Sequence, residues 1–175
     1  MSNPQIDQHL AYFKRVSLFK HLDEDHIKKI MEIMKIAEIK KNEMITREGE
    51  SGDSMFILLK GEVEISKSIY LSPFSSNQSL HEKALSRLTE QSHSFFGEMS
   101  LFLEKPERTA SIKAIRPCTL AVMEKKRLSN ILNKDPLIAS IIYKNISAEL
   151  CKRLIKSNKD ILKLTTAFSL ALEGD

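Results

Sequence analysis

Hydrophobic and polar positions follow three different rhythms along the chain. From Pro4 to about Met34, apolar residues recur every three or four positions, which predicts helices, and Asp23 is the expected N-cap of one of them. Between residues 36 and 123, short runs of β-type residues are separated by turn residues, which predicts strands. Helical spacing returns after Met123. We therefore expect a strand-rich middle with helices on both sides.

The strand-rich middle is divided into short pieces by glycine. Gly49, Gly52 and Gly61 are three of only five glycines in the chain, and their closeness indicates tight corners between strands. Residues 67–81 are rich in Ser, Asn and Pro and predict an exposed loop. The expected strands lie at 44–47, 55–59, 62–66, 83–88, 111–115 and 119–123. Many short strands joined by corners predict a small barrel or sandwich.

The last part of the chain predicts a long helix. Asp135-Pro136 combines a candidate N-cap with proline at the first helical position, and helix-forming residues continue to about Leu172. Six residues of this helix have the 4-3-4-3-4 spacing of a coiled-coil seam: Leu150, Leu154, Ser157, Ile161, Leu164 and Phe168. The seam predicts either self-association of two chains or docking of the helix on the chain's own barrel.

Composition and charge restrict the class of protein. With 175 residues, 42% hydrophobic and 29% charged, the chain fits one globular domain with helical appendages. The net charge is +4, but the basic residues are scattered, which favours solvated surface over a nucleic-acid patch. No apolar run is long enough to span a bilayer, and the first residues contain no signal-peptide core. Cys118 and Cys151 are far apart, so we expect no disulfide framework and a cytoplasmic location.

Motifs of catalysis and metal binding are missing from the sequence. The histidines have no metal-binding spacing, and neither a nucleophile elbow nor a P-loop is present; the five histidines lie at positions 9, 21, 26, 81 and 93. We therefore expect a protein that is not an enzyme and that holds no metal.

The stretch FFGEMSLFLEKPERTA, residues 95–110, holds the candidate chemistry. Gly97 lets backbone approach a ligand, and the residues after it can present free N–H groups to a phosphate. Arg108 offers a fork of donors for phosphate oxygens, and Thr109 adds a hydroxyl. Glu98 needs a donor such as a sugar hydroxyl. These features fit a cyclic nucleotide best, because its phosphate carries a single charge, although the same residues also fit a simple turn with a solvated acid and a solvated arginine.

Two motifs resemble those of the cyclic nucleotide-binding domain family. Phe96-Gly97-Glu98, Leu101 and Arg108-Thr109-Ala110 match its phosphate-binding cassette. Upstream, Arg47–Ser54 and Gly61-Glu62-Val63 match a second signature of the family, in the expected order. The agreement of both motifs favours a nucleotide site over a solvated turn.

The resemblance covers most of the chain, from about Leu18 to Leu154, with two departures. Family members in kinases usually have arginine where Glu107 stands. The turn before the cassette usually contains glycine, whereas this chain has Gln91-Ser92-His93-Ser94. Neither departure removes a residue that is assigned to ligand contact.

The resemblance implies an α+β fold, in which a small antiparallel β-roll or jelly-roll barrel is flanked by N-terminal helices and a long C-terminal helix. We expect N-terminal helices over residues 1–35, the β-roll core over 36–126, and C-terminal helices over 127–175 that act as hinge, lid or dimerisation element. The implied ligand is cAMP or cGMP, with Glu98 on the ribose 2′-hydroxyl and Arg108 on the cyclic phosphate. The expected ligand-binding residues are Phe96, Gly97, Glu98, Met99, Ser100, Arg108, Thr109, Ala110, Ser157 and Asn158.

The C-terminal helix most resembles the dimer helix of catabolite activator-like transcription factors, which also touches the base. This likeness places Ser157 and Asn158 near the base, but they also fit a polar interruption or a break in the helix. Only seventeen residues follow Asn158, too few for the helix-turn-helix domain of that subfamily. Direct DNA binding is therefore not expected.

We expect a stand-alone, non-catalytic sensor of a cyclic nucleotide, signalling by movement of its C-terminal helix. Its expected partners are a second copy of the chain, bound through that helix, and an unidentified effector protein, but no membrane. Two alternatives remain at this point. One is a protein-interaction module that keeps the fold without binding nucleotide, and the other is a transcription regulator without its usual DNA-binding domain.

Overall fold

The computed structural model describes residues 4–70, 80–103 and 107–173. The helices are α1 (Pro4–Asp7), α2 (Leu10–Phe13), α3 (Glu24–Met31), α4 (Met99–Phe102), α5 (Lys125–Lys134) and α6 (Pro136–Glu173). The strands are β1 (Lys35–Ile39), β2 (Met44–Thr46), β3 (Ser54–Lys60), β4 (Glu62–Tyr70), β5 (Leu80–Thr89), β6 (Phe95–Phe96), β7 (Ser111–Ala114) and β8 (Cys118–Glu124). Two 3₁₀ turns lie at Ser17–Phe19 and Glu90–Ser92.

Two four-stranded antiparallel sheets form the β-roll. One has the strand order β1-β8-β3-β6 and the other β2-β7-β4-β5. The predicted fold class, an antiparallel β-roll with helices before and after it, is confirmed. The loop predicted for residues 67–81 is wrong at both ends, because β4 continues to Tyr70 and β5 begins at Leu80; residues 71–79 lie outside the described part.

Strand β3 separates two hydrophobic clusters, which explains its unbroken apolar run. Met55 and Ile57 pack with the flanking helices in the larger cluster. Phe56 and Leu58 point to the opposite face, into the interior of the β-roll. Because successive side chains of a strand alternate between its faces, a strand that is buried on both faces must be apolar throughout.

The N-terminal helices cover one face of the roll. The side chain of Asp23 accepts a hydrogen bond from the backbone N–H of His26 at 2.8 Å, so the predicted N-cap of α3 is confirmed. Ile27 and Ile30 of α3 are buried in the larger cluster. Tyr12 of α2 reaches from this helical layer to the backbone of the sheet.

Helix α6 begins where the sequence predicts and runs without a break, so an interruption at Ser157-Asn158 is not observed. Asp135 caps it by accepting from the backbone N–H of Ile138 at 3.2 Å. Asn145 is buried and donates to the carbonyl oxygens of Leu18 and Lys20, each at 2.8 Å, which holds the first half of α6 against the first 3₁₀ turn.

Two features are absent from the part of the chain that the structure describes. No helix in that part of the chain is both long and apolar enough to cross a membrane. Within the same residues, no group of three or more His, Cys, Asp or Glu side chains is placed to bind a metal ion.

Candidate functional site

The turn after β6 is built around Gly97. Strand β6 pairs with β3, with Phe96 opposite Phe56, and the chain then turns sharply into α4. Gly97 has φ +79°, in the left-handed region that favours glycine. A Cβ at this position would lie 2.9 Å from Nη1 of Arg108 and 3.1 Å from the carbonyl oxygen of Ser54. Both the backbone conformation and the close approach of the arginine therefore require glycine here.

The two sequence motifs meet at Arg108. Its backbone N–H donates to the carbonyl of Glu50 at 2.8 Å, and its carbonyl accepts from the N–H of Gly49 at 2.9 Å. Its guanidinium lies over Gly52, where a Cβ would stand only 1.9 Å from Nε. The glycine-containing turn upstream thus forms the wall against which the arginine of the cassette packs.

The Arg108 side chain is buried, with 9% of the residue exposed. Its Nη1 donates to the carbonyl of Ser54 at 2.7 Å and to Oγ of Ser100 at 3.1 Å, and its Cζ lies 5.4 Å from the centre of the Phe56 ring. Burial lowers the pKa of Arg108 below its ordinary value, while the charge of nearby Asp53 acts in the opposite direction.

Within the described part of the chain, no carboxylate forms an ion pair with the guanidinium of Arg108. Of its side-chain nitrogens in that part, only Nη1 donates to a protein acceptor. Within the described residues, every fully buried side-chain nitrogen has a hydrogen-bond partner. Since Nη2 and Nε of Arg108 have none, these two donors are accessible to solvent. A buried cation with free donors is a favourable place for an anion.

Glu98 is buried as well, with 2% of the residue exposed, but it has a partner. Nη1 of Arg153, on α6, donates to its Oε1 at 2.9 Å, and Nη2 of Arg153 donates to the carbonyl of Phe95 at 2.8 Å. Glu149, one turn earlier on α6, accepts from Nε of Arg153 at 3.3 Å. Arg153 therefore connects the C-terminal helix to the cassette.

Sequence reasoning did not assign Arg153 to the site. It follows Glu98 by 55 positions, and no local pattern marks it. The only signal was indirect, since a buried carboxylate requires a cation or other donors, and the cassette's own arginine does not supply them.

Most of the predicted site residues line one cleft of about 130 Å³, between the cassette and the second sheet. These are Phe96, Gly97, Glu98, Met99, Ser100, Arg108, Thr109 and Ala110. Thr46, Ile65 and Ile112, which the sequence did not single out, line it too. Arg153 and Ile65 also border a neighbouring cleft of about 660 Å³ between α6 and β5, so the two clefts adjoin.

Ser157 and Asn158 are placed differently. Ser157 lines the larger cleft, on the side of α6 that faces the roll. Asn158 lines neither of the two clefts, because the next position on a helix is rotated by about 100°. The structure thus places Ser157, but not Asn158, in the cleft that adjoins the cassette cleft.

The two departures from the family pattern lie at the edges of the site. Glu107 lines the smaller cleft and forms an isolated β-bridge with Ser51. In the turn before the cassette, His93 adopts the left-handed conformation, with φ +46°, that glycine would otherwise take. Its ring stacks on Tyr12, with 4.7 Å between the ring centres.

The part of the chain that contains both motifs is similar to known proteins. Residues 36–135 match the family model described as cyclic nucleotide-binding domain. The chain is 25% identical over 169 residues to human cGMP-dependent protein kinase 2, covering 95% of this chain and 21% of the kinase. It is 28% identical over 116 residues to the cAMP-activated global transcriptional regulator CRP of Pasteurella multocida, covering 66% of this chain and 49% of that protein.

Solved structures show the same fold. A cyclic nucleotide-binding domain from Methylobacillus flagellatus superposes with a TM-score of 0.74 at 21% identity, covering 90% of this chain and 83% of that chain. The two curated relatives are much longer, since the chain spans less than half the length of each.

Proposed function

The chain belongs to the cyclic nucleotide-binding domain family, and we propose that it is a sensor that binds cAMP or cGMP without catalysing a reaction. The observation that carries this proposal is the state of Arg108. A buried arginine without a carboxylate partner is costly unless an anion neutralises it. A cyclic phosphate carries one negative charge and oxygens that match the unused guanidinium donors.

The ribose and the base have candidate positions beside this phosphate site. Glu98 lines the same cleft as Arg108, and its carboxylate can accept a hydrogen bond from the ribose 2′-hydroxyl. At about 130 Å³ this cleft is smaller than the roughly 300 Å³ or more that ligand pockets usually have. We therefore place the base in the adjoining larger cleft, where Ser157 offers a hydroxyl.

Signalling in this proposal passes through Arg153. Its contact with Glu98 joins α6 to the residue that would hold the ribose. A ligand that binds beside Glu98 changes the surroundings of this ion pair, and it favours one placement of α6 over another if its affinity differs between the two placements. An effector protein, or a second copy of the chain, would detect the altered helix.

The test of the phosphate site is calorimetry with cAMP and with cGMP, on the parent protein and on Arg108→Ala. The substitution removes the charge that balances the phosphate and is expected to weaken binding by about 2–5 kcal/mol. Arg116→Ala is the matched control, because Arg116 is an exposed arginine outside both clefts. Unchanged affinity in Arg108→Ala would contradict the site. If neither nucleotide raises the melting temperature of the parent protein, the interaction-module alternative is favoured instead.

The contact between Glu98 and the ribose 2′-hydroxyl is tested by measuring the affinity of a 2′-deoxy analogue of the nucleotide that binds. The parent protein should bind the analogue more weakly, because Glu98 then loses its donor on the sugar. In Glu98→Gln the difference between the two ligands should shrink. Equal binding of both ligands by the parent protein would contradict the role of Glu98.

A further inference from the structure

Ser100 is a buried polar residue in the cassette whose hydroxyl has two defined partners. It lies in α4 and is 2% exposed. Its Oγ donates to the carbonyl of Gly97 at 2.8 Å and accepts from Nη1 of Arg108 at 3.1 Å. A serine hydroxyl has a single proton. Because that proton goes to Gly97, a lone pair is left for the guanidinium.

These contacts fix the orientation of the guanidinium. Nη1 carries two protons, and Ser54 and Ser100 each accept one of them. The guanidinium is planar, so fixing two N–H directions of Nη1 also fixes where Nη2 and Nε point. Those are the donors that remain for a ligand.

We propose that the Ser100 side chain is a positioning residue for anion binding: it orients Arg108 towards the cyclic phosphate and does not itself contact the ligand. Both partners of its hydroxyl are protein groups, so its proton and the lone pair that faces Arg108 are already engaged within the protein. The inference rests on the proposed function, because it needs an anionic ligand at Arg108.

The test is a double-mutant cycle on nucleotide affinity, with the parent protein, Ser100→Ala, Arg108→Lys and the double variant. In the arginine background, Ser100→Ala should weaken binding of the preferred nucleotide roughly ten-fold, the effect of one hydrogen bond to a charged group. Lysine has no planar fork to orient, so in the Arg108→Lys background the same change should alter affinity by less than about two-fold. A merely structural role would weaken binding equally in both backgrounds.

Two further variants keep the test decisive. Ser66→Ala removes another buried serine hydroxyl, outside the smaller cleft, and should leave affinity unchanged. Ser100→Cys preserves the shape of the side chain but offers only a weak acceptor, and it should lose affinity as Ser100→Ala does, even if the alanine variant folds poorly.

The outcomes separate this inference from the function on which it rests. If the parent protein binds neither nucleotide, both are overturned. If the parent binds and the Ser100→Ala loss is the same in the arginine background as in the Arg108→Lys background, only the positioning role is overturned. The same conclusion follows if Ser100→Cys binds like the parent.

Discussion

Arg108 is held by two glycines that lie far apart in the sequence. Gly97 leaves room for Nη1, and Gly52 leaves room for Nε and Cζ on the other side. A side chain at either position would occupy space that the guanidinium now fills. The glycine of each family motif therefore serves the same arginine, which gives a physical reason for the two motifs to occur together in one chain.

Gly52→Ala should displace Arg108 and weaken nucleotide binding. The new Cβ would stand 1.9 Å from Nε, so the guanidinium must move away from its present position. Since φ of Gly52 is not positive, the substitution adds the clash without backbone strain. We expect binding to weaken, at most by the about 2–5 kcal/mol expected for removing the guanidinium altogether, with calorimetry as the measurement.

The neighbouring Ser51→Ala is the control, because Ser51 is exposed and pairs through its backbone. Gly52→Ala protein that binds as tightly as Ser51→Ala protein would show that the guanidinium position is unimportant.

Among the individual site residues, the sequence predicted those of the cassette but not Arg153. The cassette is readable because its chemistry lies within sixteen consecutive residues, 95–110, where the spacing of glutamate and arginine carries information. Arg153 enters the site only because α6 crosses the roll at that point. Without the placement of the helix, an arginine among the lysines of α6 is typical of a solvated surface.

The short strands show why sequence patterns located some elements and missed others. The apolar run of β3 predicted a strand because both of its faces are buried. Neither β1 nor β6 was predicted. β6 contains only two residues and exists through its pairing with β3, and β1 pairs with β8, about eighty positions later. A strand that forms by pairing with a distant segment does not show a periodic hydrophobic pattern in its own few residues.

Tyr12 joins α2 to the β-roll and makes the contact between these elements sensitive to alkaline pH. Its hydroxyl lies 2.5 Å from the carbonyl of Leu58 and 2.7 Å from that of Glu90. Burial, and secondly the charge of Glu90, raises the pKa of Tyr12 to about 12 from the ordinary 10.0. The folded protein thus holds the phenolic proton more tightly than the unfolded chain does.

The stability that Tyr12 contributes should be lost as the pH rises from 10 to 12. Below pH 10 the phenol is protonated in both states and the contribution is complete; above it, the unfolded chain releases the proton first, which favours unfolding. Between pH 10 and 12 the melting temperature should therefore fall more steeply for the parent protein than for Tyr12→Phe. Tyr143→Phe, which alters a tyrosine that is 45% exposed, is the matched control variant. Parallel curves for the parent and Tyr12→Phe would contradict the assignment.

In the whole molecule, α6 divides into two halves with different surroundings. Its first half is packed, with Ile138, Ile142 and Ile146 buried and Asn145 bonded to the first 3₁₀ turn. From residue 154 onwards its apolar side chains are largely exposed, for example Leu154 at 61% and Phe168 at 65%. Leu154, Ile161, Leu164 and Phe168 are spaced to lie along one side of the helix, and an exposed apolar stripe of this kind usually marks an interaction site. Five of the six seam residues lie in this second half, whereas Leu150 precedes it and packs against the larger cluster.

Two surfaces can pack against the seam: the β-roll of the same chain, and the α6 helix of a second copy. Ile161 and Leu164 line the larger cleft opposite Leu85 and Leu88, so these members of the seam face the roll. Phe168 lies one turn beyond Leu164 and lines neither cleft. A second copy of the chain, packed helix against helix, would cover Phe168 and Leu154 together.

For a dimer that packs through this seam, Phe168→Glu should produce a monomer without changing nucleotide affinity at the cassette. Burial of a phenylalanine side chain contributes about 1.5–3 kcal/mol, and two copies of it would be lost from a symmetric interface, with two carboxylates brought together in their place. Sedimentation equilibrium measures the change. Lys163→Glu is the control, since this lysine is also exposed on α6 but lies outside the seam, and that variant should stay dimeric. If the parent protein sediments as a monomer both with and without nucleotide, a second copy of the chain does not bind the seam. The seam would then pack against the roll or against a different partner.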